Sequence, residues 1–150
     1  MTAAENESLQ KDIRRALIRR ILIYIGVILA IIIAFTFAFR QFKIYSNARL
    51  ALREAKNIKM SLEMINTEYY AIGISIYDDS AEGNIRKGAY DYVKKIQGEL
   101  KGEIKLTGYD SANRIITGIE YETENYIVRY SKNGKEEMWK VSFIRELLSY

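Results

Sequence analysis

The sequence predicts an α+β protein: a long N-terminal helix, transmembrane at first and amphipathic beyond, packed on a small antiparallel sheet of about four strands. Three observations predict it. Residues 21–39 read ILIYIGVILAIIIAFTFAF, without a charge. From Ala48 onward, apolar residues recur at alternating three- and four-residue steps, the signature of one buried helix face. After Gly102 the period changes to two, and Asn133-Gly134 is the strongest hairpin signal, since a type I′ turn needs positive φ at both central positions.

The uncharged run comes first. At about 1.5 Å rise per residue it is roughly 28 Å long, close to the ~30 Å hydrocarbon core of a bilayer. Lys11, Arg14, Arg15, Arg19 and Arg20 precede it, as they would in a signal peptide. The run is longer than a signal peptide's apolar core, however, and ends FTFAFRQFK, with bulky residues where a small-x-small cleavage site belongs. It reads as a retained anchor. Basic residues flank both ends, with Arg40, Lys43, Arg49 and Arg53 beyond the run, so charge barely sets orientation. The short N-terminal tail favours a cytoplasmic N-terminus. The expected organisation is a basic tail over 1–20, a transmembrane helix over 21–39 and an extracytoplasmic domain over 40–150. Small residues at Gly26, Ala30, Ala34 and Ala38 share one helix ridge, where a neighbouring membrane helix can approach closely.

Residues 41–72 continue as an amphipathic helix. Ala48, Ala51, Ala55, Ile58, Leu62, Ile65, Tyr69 and Ile72 form its apolar stripe, among Arg49, Arg53, Lys56, Glu63 and Glu68. The stripe is read as core beneath the domain's own sheet, in preference to a coiled-coil seam with a second chain. Residues 1–10 are polar and read as frayed. Residues 73–83 are a connection rich in Asp, Ser and Gly. Asn84 is the expected N-cap of a short helix over 85–100, with Ile85, Ala89, Tyr92, Val93, Ile96 and Leu100 at helical spacing. Strands are expected within 103–141. The second should show Ile115, Thr117, Ile119 and Tyr121 on one face; the third Tyr126, Val128 and Tyr130; the fourth Trp139 and Val141. The tail from residue 143 reads as a short amphipathic helix or a frayed end.

Composition narrows function. The net charge is +4, and residues 41–150 hold seventeen basic against sixteen acidic residues, so the excess sits beside the uncharged run, where it can meet anionic headgroups. A near-neutral domain does not suit nucleic acid. With no Cys and no His, the chain lacks the commonest nucleophile, general base and zinc ligands. Asp78, Asp79 and Glu82 are too closely spaced for a calcium loop and read as a solvated turn. Glu120, Glu122 and Glu124 recur at strand period and read as a solvent face rather than an acid–base pair. Arg86, Lys87, Lys94, Lys95 and Lys101 make the short helix basic, an ordinary solvated face. No cofactor fingerprint, metal site or catalytic constellation is present, and the chain does not read as an enzyme.

The order of parts resembles a known family. A hydrophobic N-terminal helix runs into an alanine-rich amphipathic half, ARLALREAKNIKMSLEMINTEYYAIG over 48–73, and an antiparallel meander follows. This is similar to type IV pilins and the pseudopilins of type II secretion systems, over roughly residues 21–141. The resemblance implies a bacterial envelope protein whose helices pack side by side, with lipid and other single-pass or pilin-like subunits as partners. Residues RRALIRR precede the apolar run, which has neither a glycine before it nor a glutamate at its start, so no prepilin-peptidase processing is expected. The rival reading is a single-pass sensor whose tyrosine-rich domain binds a ligand.

Overall fold

The computed structural model describes residues 3–98 and 100–144, with the side chains of 3–13 left aside. Helix α1 (Ala3–Ala71) is followed by a 3-10 turn (Glu82–Asn84), helix α2 (Lys87–Gln97) and strands β1 (Gly102–Asp110), β2 (Ile115–Thr123), β3 (Tyr126–Asn133) and β4 (Glu136–Phe143). The strands form one antiparallel sheet in the order β1-β2-β3-β4, the expected meander. The chain divides into two compact units, Met1–Tyr45 and Ser46–Tyr150.

The first unit is helix alone. It begins at Ala3 and not near Lys11, because the opening residues include good helix formers and no helix breaker precedes Gly26. Gly26 leaves the helix unbroken.

In the second unit α1 stops at Ala71 through a Schellman cap. Gly73 takes φ +78°, the Gly73 N–H donates to the Tyr70 carbonyl at 3.0 Å, and the Ile74 N–H donates to the Tyr69 carbonyl at 3.0 Å. Ala51, Ala55, Ile58, Leu62 and Ile65 are buried along one stripe of α1 against Ile104, Leu106, Ile119, Tyr121, Val128 and Tyr130 of the sheet. Each fully buried Ile or Leu contributes about 1.5–3 kcal/mol relative to exposure.

Helix α2 is shorter than the expected 85–100, and Asn84 is not its cap. Asn84 sits at φ +59° and its side-chain amide donates to the Leu106 carbonyl at 3.0 Å, while Arg86 occupies the N-cap. The Asn84 bond fastens the 3-10 turn to the outer edge of β1, covering an edge otherwise open to pairing. Ile85, expected in the helix, instead forms a β-bridge with Tyr77 and is buried. Ala89, Tyr90 and Val93 pack inward, and Ile96, expected on the same face, is 46% exposed. Gln97 ties α2 to α1 by donating to the Ser61 hydroxyl at 2.7 Å.

The expected face of β2 is half right. Ile119 and Tyr121 are buried, but Ile115 is exposed and Ile116 takes its place in the core. Register explains it: pairing runs Leu106 with Ile119, then Gly108 with Gly118, then Tyr109 with Ile116. Thr107 and Thr117 are each an extra residue, so a bulge on each strand flips the inward parity of both at one level. A Cβ on Gly118 would lie 2.6 Å from the Thr107 hydroxyl and 2.9 Å from the Gly108 nitrogen, and one on Gly108 would meet Thr117 and Gly118 equally closely. Only glycines fit at this crossing. The expected element beyond β4 falls, from residue 145 on, outside the described residues.

Candidate functional site

Apolar surface left uncovered is the first functional feature. Every residue from Ile21 to Phe39 is exposed, including Gly26, Ala30, Ala34 and Ala38 on their shared ridge, and nothing lies within 4 Å of where a Cβ on Gly26 would stand. This part of α1 is long and apolar enough to cross a membrane, and none of it is buried within the molecule. Its one side-chain hydroxyl short of the tyrosine, Thr36, donates to the Ile32 carbonyl at 2.8 Å, so its donor is satisfied within the helix.

All but one of the residues expected to join helix to sheet are covered within the second unit. Ala51, Ala55, Ile58, Leu62 and Ile65 are buried, and Ala48 and Tyr69 are half-buried against the same core. Ile72 is the exception, at 67% exposed. Counted along the helical period it belongs to the stripe, but the cap at Gly73 ends the helix one residue earlier and turns Ile72 outward.

Several polar groups tie the elements of the second unit together. Tyr121 Oη donates to Glu54 Oε2 at 3.1 Å, joining β2 to α1. Burial first, and then the Glu54 carboxylate, pushes the Tyr121 pKa up. Lys59 donates to Glu63 at 2.7 Å, lies 3.7 Å from Glu137 and caps the Tyr130 ring at 4.8 Å. Burial alone would lower its pKa, but the Glu63 hydrogen bond and the surrounding negative charge outweigh that and raise it. Burial, ahead of the nearby Glu137 carboxylate, also raises Tyr130. Of the carboxylates singled out above, Asp78 accepts from the Ser80 amide and hydroxyl within its own turn, and Glu120 pairs with Arg129 at 2.6 Å across the solvent face. Glu82, Glu103, Glu120 and Glu122 line a polar groove together with Tyr90 and Lys105. Among the described residues no group of three His, Cys, Asp or Glu side chains is placed to hold a metal ion.

A second uncovered apolar surface escaped the sequence reading. Tyr70, Ile72 and Ile74 are 60%, 67% and 41% exposed. Arg114 joins them: its guanidinium lies 4.9 Å over the Tyr70 ring, and Nη1 donates to the Tyr70 carbonyl at 3.3 Å. Arg114 holds φ +55°, and its own carbonyl accepts from the Asn66 side-chain amide at 2.8 Å. Tyr109 Oη donates to Asn66 Oδ1 at 3.1 Å, fixing that amide. The available sequence signal was the apolar density around Gly73, YYAIGISI, which exceeds what one helix face can bury. No protein family, curated protein or solved structure matches the chain.

Proposed function

We propose that the chain is a membrane-anchored, single-pass, pilin-like subunit, structural or accessory, of a type IV pilus or type II secretion-type machine. It acts through helix packing and protein contacts and performs no catalysis. One observation carries the reading: a single helix, α1 (Ala3–Ala71), supplies both a wholly exposed apolar stretch and the stripe that seats a four-stranded antiparallel meander. A soluble domain would have no use for the first. A span that only tethered its domain would not need to continue, unbroken, as that domain's core. In this reading the head lies on the extracytoplasmic side, the arginines before the span meet anionic headgroups, and the ridge of Gly26, Ala30, Ala34 and Ala38 meets the spans of neighbouring subunits.

The test uses the absence of native cysteine. Single cysteines at Ala30, Ala34 or Ala38 are oxidised in membranes carrying the full chain. Disulfide-linked dimers are expected at these positions and not at Ile32, which points elsewhere on the helix. Equal yields at all four positions, or monomer at every one, would remove the packing role.

A further inference from the structure

We propose that Arg114 and the apolar residues around it form a docking surface for a partner protein segment that presents apolar side chains around a carboxylate. The inference stands on the second unit alone and does not rest on the pilin-like reading. Three independent observations meet at this place. The first is area. Tyr70, Ile72 and Ile74 leave large apolar side chains in water within five residues, where α1 ends at its Gly73 cap. Singly exposed apolar residues are unremarkable; a cluster with aromatic and arginine members has the make-up of interface centres.

The second is charge. Arg114 is stacked on Tyr70, which holds the guanidinium in one orientation. Its guanidinium rests on the Tyr70 ring and the Tyr70 carbonyl, and no carboxylate among the described residues pairs with it. An ordered guanidinium with an apolar surround favours a carboxylate, because the two can form parallel, partly desolvated hydrogen bonds. That complementarity names the occupant. A second basic or purely apolar surface would leave the cation unpaired as water is expelled.

The third is backbone conformation. An arginine at φ +55° occupies the left-handed region, which costs about 1–2 kcal/mol for a residue with a Cβ and which Asn or Gly adopts far more readily. The position before it is an asparagine, Asn113, so the turn places its arginine where the backbone is least comfortable. Asn66 and Tyr109 hold that conformation from the core side. Strain maintained by neighbouring structure marks positions whose side chain has a task.

The test uses full-length protein in lipid nanodiscs and short fluorescein-labelled peptides, read by anisotropy. Each probe carries leucine and phenylalanine around a central aspartate, and each has a twin with asparagine at that place. The aspartate probes should bind about tenfold more tightly than their twins. Arg114→Gln should abolish that difference, and Ile72→Ser, at an exposed side chain, should weaken both probes alike. Trp139 fluorescence checks that each variant keeps its fold. Absence of binding, equal binding of twins, or a difference that survives Arg114→Gln overturns the proposal. Binding replaced by self-association through Ile72 overturns it too. The span crosslinks are read separately, so either proposal can fail alone.

Discussion

Ala30, Ala34 and Ala38 carry the same side chain on the same helix as Ala51 and Ala55. The first three are exposed, and the last two are 5% and 1% exposed. Helical propensity is identical at all five, so it cannot be what separates the two regions. What differs is the company. Around Ala30 and Ala34 the neighbours are apolar on every side; around the last two they are apolar on one stripe and charged elsewhere. An all-round apolar helix calls for an apolar solvent, and a one-sided one calls for a partner of limited width. In the second unit that partner is the sheet, and its limited width is why charges such as Arg53 and Glu63 remain outside.

The sharpest way to break this contrast deletes the same atoms in both regions. Leu62 is fully buried and Leu29 is 56% exposed within the molecule. Leu62→Ala should cost the second unit about 2–5 kcal/mol, the range for a truncated core leucine with its cavity. Leu29→Ala should change that same quantity by less than about 0.5 kcal/mol, since the sites share no neighbours. Denaturant unfolding of the full chain in detergent, followed by Trp139 fluorescence, reads both. Comparable losses would mean that the two regions fold as one cooperative body.

Next in size is the bulge crossing. Gly118→Val forces a side chain into the space held by Thr107 and the Gly108 backbone, at 2.6 and 2.9 Å. Overpacking of this kind costs about 1–3 kcal/mol. Backbone is the nearest rigid obstacle, so rotation of the Thr107 hydroxyl cannot relieve it fully. If Gly118→Val were neutral, the paired bulge would be a loose feature of the sheet.

Gly73→Ala separates conformation from crowding. At φ +78° the left-handed region penalises any Cβ, yet nothing lies within 4 Å of where that Cβ would stand. The expected cost is about 1 kcal/mol, purely from the backbone. A larger loss would show that the Ile72–Ile74 turn is packed more tightly than its exposure implies.

Titration gives a smaller, pH-dependent effect. Tyr90, Tyr121, Tyr130 and Lys59 are all raised above their ordinary values of 10.0 and 10.5. A raised folded pKa means that the native state holds its protons longer than the unfolded chain does. Their contribution is therefore complete below about pH 10 and drains away as pH rises through the folded values. Tyr121→Phe loses the hydrogen bond to Glu54, about 0.5–1.5 kcal/mol near neutrality, and flattens the alkaline decline. Asp78 and Asp110 are lowered from 3.8 by hydrogen bonds within their own turns, from Ser80 and from Asn113 respectively, so their contribution is lost only as pH falls below that range. A stability profile that stays flat between pH 9 and 12 would contradict the alkaline half.

Much of this fold was legible before the structure because its signals are local. The uncharged run, the three-four stripe and the change to period two each depend on neighbouring residues, and Asn133-Gly134 marked the last hairpin, although Asn133 pairs with Glu136 in the ladder and only Gly134, of the two, takes a positive φ, at +60°. The parity flip of β1 and β2 was not legible, because alternation read along one strand cannot register an extra residue that only pairing reveals. Thr107-Gly108 and Thr117-Gly118, the same dipeptide in facing strands, were the available hint. Ile72 was misplaced for a related reason. The stripe has no internal signal for where it stops, and the glycine that stops it follows the last apolar member. Asn84 was misread because an asparagine in the left-handed region looks, in sequence, like an asparagine that caps a helix.

Arg114→Asn should have the smallest effect on stability and brings the two regions back together. Asparagine tolerates φ +55°, which recovers part of the left-handed cost. The change also removes the stacking on Tyr70, about 0.5–1 kcal/mol at an exposed site, and the long 3.3 Å hydrogen bond to the Tyr70 carbonyl. The gains and losses nearly cancel, so the unfolding midpoint should move by less than about 0.5 kcal/mol equivalent, in either direction. A loss above about 1.5 kcal/mol would make Arg114 a structural clasp of the α1 terminus and remove the reason to look for a partner. Near-neutrality would sharpen the contrast with the span. Both regions expose apolar side chains, but those of residues 21–39 form a belt that lipid can cover without specificity. The cluster at Tyr70, Ile72 and Ile74 has limits and an ordered cation, Arg114, stacked on it. A bulk apolar phase would bury that cation unpaired, so the surface that covers this cluster must bring a carboxylate of its own.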